Sequence, residues 1–280
     1  MAPIQAGEYM IQTNSQSSAR LNLQHYWVEE TLDYLLHPDI PVSEDANIAD
    51  IATGTGIWPI SLSRRVPSTV QIDGFDITAD QFPPADWLAS NVNLHTLDIL
   101  KPVPQVLEGQ DDVVCIKYFG VLIRNNDPKY VLRNLVDMLK HGGYIQWVES
   151  DIYNQAVVKS AHSTLTAPTA LEQQLELWRR YLDASGLHYD WLKTLPVLCK
   201  DIGMSDAQVY TPNIIPALRF TATTLVLGAW EELSYNLLDG KPDESLGSGA
   251  ELREKLAVFW KEVEAGIALD LPFYVTVARK

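Results

Sequence analysis

An α/β fold is predicted for this chain: a mainly parallel sheet flanked by helices, with a helical lid. Three observations predict it. Residues 47–58 (NIADIATGTGIW) pass from a short apolar run through a small-residue turn into a helical periodicity, as a buried parallel strand, a tight turn and a helix N-terminus would. Further short apolar runs alternate with helical periodicities along the chain, seven strands in all. Between the last two of those strands lie about 60 residues, far more than a hairpin needs. The sum is a Rossmann-like seven-stranded sheet, and the excess chain reads as helices that cover a substrate.

Composition narrows the function. The 280 residues are 46% hydrophobic, enough for one large core with a cap. With 36 acidic against 21 basic residues the formal charge is −15, and no lysine or arginine cluster stands out. Nucleic acid and anionic membrane are therefore not expected as partners. Cys115 and Cys199 are too few for a disulfide framework and suit a reducing cytoplasm, with Cys115 an inert core residue. The N-terminus shows no charged-then-apolar leader, and no run reaches the length of a membrane span. No metal site is expected. The expected organisation is an N-terminal helical cap at 1–46, a cofactor-binding core at 47–155, and lid helices plus the last two strands at 156–280.

In chain order, residues 1 to about 16 read as irregular. A helix capped by Ser17 or Ser18 is expected to reach about Leu36, with Leu21, Val28, Leu32 and Leu35 on its apolar face. His25 shares that face, as a packed core histidine or as a group closing over the central cleft. After the strand at 47–51, Gly54 and Gly56 are the positions where a Cβ would obstruct a ligand. Pro59 suits the first turn of the following helix, and Pro67 stops it. Pro59 also stands where a dinucleotide fingerprint needs its third glycine, and no lysine follows to make a P-loop.

The second strand, 70–76, ends in Asp76, placed to accept both hydroxyls of a ribose or to cap the next turn with Thr78. The third, 91–100, carries Asp98, an acceptor for an adenine amino group, and Ile99, which offers its N–H and an apolar surface. The fourth, 111–118, ends in Lys117 and Tyr118. A helix from Asn126-Asp127-Pro128 is expected to run to Lys140-His141-Gly142-Gly143, with His141 a cation at its negative end. The fifth strand, 144–148, is followed by Glu149. Beyond Asp151 come a helix through Leu171, Leu175, Trp178 and Leu182, a short helix at 195–201 and a sixth strand at 207–210. A dense apolar helix at 217–237, a polar loop at 239–249, an amphipathic helix marked by Leu252, Leu256, Phe259, Val263 and Ile267, and a last strand at 271–278 complete the chain. The lid helices have an alternative use as a homodimer interface.

The stretches Arg20-Leu21-Asn22-Leu23-Gln24-His25, residues 48–58, Gly74-Phe75-Asp76-Ile77 and residues 142–151 (GGYIQWVESD) together resemble one family: the class I S-adenosylmethionine (SAM)-dependent methyltransferases of fungal secondary metabolism, a group that includes methyltransferase-like pericyclases. The likeness covers about 18–155 well and the lid loosely, and Ala52 stands where the first glycine of the family's motif I is usual. It implies SAM as cofactor. Asp50, Ala52, Thr53, Gly54 and Gly56 would line its methionine and ribose, Asp76 would hold the ribose hydroxyls, and Ile77, Asp98 and Ile99 would meet the adenine. Lys117 and Tyr118 would border the methyl group, with Gln24 and His25 approaching from the first helix.

The expected reaction is O-methylation of a small, mostly apolar metabolite. Such a transfer needs alignment, exclusion of water and, for a hydroxyl, a base. His25 is the first candidate base, with Tyr118 and Glu149 as orienting groups or bases. Two other readings use the same cofactor: dehydration or pericyclic ring formation beside a fixed sulfonium charge, with no methyl moved, and a regulatory SAM-binding protein acting through its lid.

Overall fold

The computed structural model describes residues 14–280, so the irregular start expected at 1 to about 16 lies almost wholly outside the described residues. Helix α1 (Ser15–Leu32) begins earlier than expected because Asn14 caps it: Asn14 Oδ1 accepts the Ser17 N–H and Ser17 Oγ accepts the Asn14 N–H, each at 2.9 Å. Asp33 then turns left-handed (φ 61°), which stops the helix short of Leu36.

The strands are β1 (Asn47–Ile51), β2 (Gln71–Asp76), β3 (Val92–Thr96), β4 (Asp111–Lys117), β5 (Leu139–Ser150), β6 (Ala156–Lys159), β7 (Ser205–Tyr210), β8 (Ile267–Asp270) and β9 (Phe273–Arg279). Seven of them form one sheet in the order β3-β2-β1-β4-β5-β9-β7. The first five are parallel, and β9 lies antiparallel between β5 and β7. Chain order reverses between β1 and β4, so the crevice beyond their C-terminal ends is where such a sheet binds ligands.

The central strands bury both faces, which is why they read as apolar runs. Ile48, Val113 and Cys115 join the core under α1, α2 (Ile57–Ser63), α4 (Ala170–Ala184), α6 (Arg219–Leu233) and α7 (Gly249–Glu264). Ala49, Ile51, Val114 and Ile116 face the other core, shared with α3 (Lys129–Met138) and α5 (Trp191–Asp201). That is the period of two expected of a strand. A fully buried valine or isoleucine here is worth about 1.5–3 kcal/mol.

Three expectations are corrected. Helix α3 stops at Met138, and residues 140–143 belong to β5. Leu139 already pairs with Asp111, Lys140 Nζ donates to Asp112 Oδ2 at 2.7 Å, and the Gly142 N–H donates to the Lys280 carbonyl at 2.9 Å. The cation of Lys140 thus answers to β4 rather than to a helix dipole, and His141 is exposed on a strand. Ile267 does not continue α7: Gly266 (φ 88°) ends the helical segment, and Ile267 opens β8. The β6–β8 ribbon, unforeseen in the sequence, props up the lid, since Arg219 Nε donates to Asp270 Oδ1 at 2.7 Å and the Leu269 N–H donates to Thr223 Oγ1 at 2.8 Å.

Candidate active site

The turn after β1 is built from left-handed residues: Ala52 (φ 56°), Gly54 (φ 59°) and Gly56 (φ 74°). At Gly56 a Cβ would also lie 2.7 Å from a Leu94 methyl. Ala52 therefore holds a backbone conformation that usually falls to glycine, at a cost of roughly 1–2 kcal/mol. The turn is held from beneath by Asp50, which has no exposed surface. Its Oδ2 accepts from Thr53 Oγ1 at 2.8 Å, and its Oδ1 pairs with Lys117 Nζ. The Lys117 ammonium sits 4.3 Å from the centre of the Trp58 ring.

Asp76 projects from the tip of β2 and its Oδ2 accepts the Gly54 N–H at 2.8 Å. The carboxylate thereby fastens the turn, and the Thr78 and Ile77 N–H groups also reach it. Burial raises its pKa above the usual carboxylate range, against the pull of those N–H groups. This fits a diol such as a ribose, which brings hydrogen-bond donors to a half-desolvated carboxylate.

Above these strand ends lies a cavity of about 290 Å³. Of the residues proposed from sequence it brings together Gln24, Ala52 and Gly54, then Asp76 and Ile77, then Asp98 and Ile99, and finally Lys117, Tyr118 and Glu149. Asp98 accepts the Leu100 N–H at 3.1 Å and meets the exposed Lys101 at 3.2 Å. Asp50 and Gly56 sit behind the wall. His25 and Thr53 line a second, smaller space of about 80 Å³ under α1.

His25 thus lines a space that adjoins the main cavity, the two sharing Gln24, Ala52, Gly54, Lys117 and Tyr118 in their walls. Its Nε2 lies 2.8 Å from Ser61 Oγ and 3.3 Å from Glu29. Burial first, then the charges of Lys117 and Arg65, lower its pKa to about 4. Glu149 is in the wall itself, at the end of β5, 3% exposed. Its Oε2 accepts the Gly120 N–H at 2.7 Å. Burial pushes the carboxyl up to about 8 despite that N–H. Tyr118, held in a left-handed turn at φ 54°, has a buried hydroxyl with the Gln24 and Ser150 side chains beside it. Burial and then Glu149 raise its pKa well above a free phenol's.

Several residues at the site escaped the sequence reading. Gly120, behind the wall, has no special sequence pattern, yet a Cβ there would lie 2.7 Å from Tyr189 and 3.1 Å from Glu149, so only glycine brings its N–H to that carboxyl. Arg20 lines the cavity and forms a two-point ion pair with Glu232, at 2.7 and 3.2 Å, that fastens α1 to α6. Trp178 and Trp230 of the lid also line the cavity, their rings 5.9 Å apart. Their sequence signal is helical periodicity alone, which marks a buried face without saying what it covers.

A sheet of this order with a glycine turn after β1, acids at the tips of β2 and β3 and a helical cover defines a class I methyltransferase fold, and the donor set suits SAM. The chain belongs to the ubiE/COQ5 methyltransferase family, whose model matches residues 21–212. It is 31% identical over 195 residues to the methyltransferase grgD of a Penicillium species, a match covering 66% of this chain and 65% of that one. It is 30% identical over 142 residues to the N-methyltransferase verN of Clonostachys rogersoniana, covering 50% of each. The chain thus matches at most about two thirds of the length of these relatives. Among solved structures, a chain of the complex between the Haloferax volcanii Trm112 methyltransferase activator and a methyltransferase superposes with a TM-score of 0.52 at 14% identity, over 96% of this chain and 98% of that one, a likeness of fold.

Proposed function

We propose that this protein transfers a methyl group from SAM to a heteroatom of a small, mostly apolar metabolite, with Glu149 receiving the proton that the heteroatom gives up. The observation that carries the reading is one cavity wall holding Asp76, Asp98, Tyr118 and Glu149 together. SAM supplies an electrophilic methyl on a sulfonium. Asp76 and Asp98 hold its sugar and base, and Asp50 with Lys117 sets the turn against which its amino-acid part rests. Tyr118 and Gln24 border the reacting end. The lid excludes water, so that alignment rather than strong activation drives the displacement.

Glu149 suits the base better than His25. A carboxyl raised to about 8 is matched to proton transfer near neutral pH. His25 is engaged by Ser61 outside the main cavity, and we assign it to supporting α1 over the turn. The sequence reading favours oxygen as the acceptor, while relatives named N-methyltransferases favour an N–H; Glu149 serves either.

The test is calorimetry with SAM and NAD side by side, followed by mass detection of products from a metabolite extract. SAM binding together with S-adenosylhomocysteine and a methylated product is expected. A product formed without S-adenosylhomocysteine would replace methyl transfer by a rearrangement or dehydration. Failure to bind SAM would end both readings.

A further inference from the structure

Given the proposed methyl transfer, with Glu149 as its base, the groups that orient Glu149 serve the chemistry without touching substrate. The carboxyl is held at both oxygens. Its Oε2 accepts the Gly120 N–H at 2.7 Å, and its Oε1 accepts the Ser150 N–H at 3.3 Å. The second contact is long, and a carboxylate oxygen has two lone pairs, so Oε1 can take a further donor. Two phenols feel this carboxyl: Tyr118 just past β4, and Tyr189 in the loop before α5. Burial first and then the Glu149 charge raise the pKa of each.

Tyr118 is the phenol that α1 reaches. Its ring packs edge-on against Phe273, with centres 6.1 Å apart, and its hydroxyl is buried with Gln24 and Ser150 beside it. Packing fixes where the oxygen lies. It leaves open where the proton points, because the O–H turns about the C–O bond and is set by its neighbours.

Gln24 is the neighbour whose own direction is settled. It lies one turn after Arg20 on α1, and Arg20 Nη1 donates to its Oε1 at 3.3 Å. Arg20 is held in turn by its two-point pair with Glu232 of α6. A guanidinium only donates, so the amide gives its carbonyl oxygen to Arg20 and leaves its NH₂, a donor only, for Tyr118. Gln24 accordingly favours the phenolate form of Tyr118, as a donor does. The phenol oxygen accepts on that side, and its proton is turned from α1 toward the end of β5. There Oε1 of Glu149 lies beside Ser150. A hydrogen bond given to the ionised carboxyl stabilises that form.

We infer that Gln24 is a positioning residue: its amide, turned by Arg20, aims the Tyr118 hydroxyl at Glu149. The ion pair that fastens cap to lid thereby also steadies the carboxyl that takes the substrate's proton. Only Glu149 exchanges a proton; Glu232, Arg20, Gln24 and Tyr118 set its surroundings.

The test needs no substrate. The protonated Glu149 carboxyl is followed against pH by infrared difference spectroscopy, its band identified by its loss in Glu149→Gln. A midpoint of about 8 is expected in the native protein. Tyr118→Phe removes the donor and is expected to raise the midpoint by about one pH unit. Gln24→Met, similar in size but without a donor, is expected to raise it by about half a unit or more. On Tyr118→Phe, Gln24→Met is expected to add nothing, because it acts through the hydroxyl; a packing role alone would not be coupled in this way. Arg20→Met combined with Glu232→Leu removes the lid pair without stranding a charge, and is expected to shift the midpoint upward as well. A midpoint unmoved by Gln24→Met or by the paired variant would overturn the inference. So would a Gln24→Met shift that persists in full on Tyr118→Phe. Failure of the native protein to bind SAM in calorimetry would instead overturn the methyltransferase reading, with the Glu149 titration still deciding the role of Gln24.

Discussion

Glu149 and Asp76 show how burial sets the chemistry of single side chains. Replacing Glu149 with Gln should lower kcat about 100-fold or more, the usual worth of a positioned base, with the Kd for SAM within about three-fold. In the native protein the proposed transfer should speed up with pH and level off above about 8, because a carboxyl acting as base must be ionised. The same shift acts on stability with the opposite sense. A carboxyl whose pKa is raised on folding binds its proton more tightly in the native state, so stability is lost as pH rises from the unfolded carboxyl value through about 8. Denaturant midpoints should therefore fall over that window in the native protein and fall less in the Gln variant. Asp76→Ala removes both the proposed ribose acceptor and the partner of the Gly54 N–H, and should weaken SAM about 10–100-fold by calorimetry. A Kd unchanged by it would remove Asp76 from the cofactor site.

Elements meet the site through a few fastenings. Helix α1 is held to α6 by Arg20 and Glu232, and to the loop after β2 by Gln81 Nε2, which donates to Ser18 Oγ at 2.8 Å. Arg20→Met would strand the Glu232 carboxylate, and is expected to cost about 3 kcal/mol in urea unfolding. Adding Glu232→Leu should recover much of that loss, because it is the unpaired buried charge that destabilises. If the single variant were as stable as the native protein, the ion pair would not be what fastens the two helices. Helix α4 is fixed in turn where Arg179 donates to the Tyr153 and Gln155 carbonyls, at 3.1 and 2.9 Å, next to Trp178 in the cavity wall.

At the scale of the molecule, the cavity is walled by segments far apart in sequence, from α1 to the residues just before β9. A ligand that touches all of them should tie the cap and lid to the sheet. SAM at about 100 times its Kd is expected to stabilise the fold by about 2.7 kcal/mol, seen as a raised thermal midpoint, with added hydrogen-exchange protection in α1. NAD should give neither effect. Much of this was legible in the residues themselves. The Asp50–Gly56 turn and the acids Asp76 and Asp98 announce a nucleoside-like ligand because strand, turn and carboxylate act through neighbours only a few positions apart. The apolar runs of β1 and β4 likewise declare a sheet covered on both faces. What the residues alone left undecided depends on distant partners. Residues 140–143 look like a helix end until Asp112 and Lys280 draw them into β5. Ile267 looks helical until β6 offers it a strand. His25 reads as a catalytic candidate from its helix face, and only the fold shows that its Nε2 meets Ser61, while Arg20 and Trp178 reach the cavity wall only when the chain folds back on itself. Local periodicity determines which face of an element is buried; only the packed structure decides what that face is buried against.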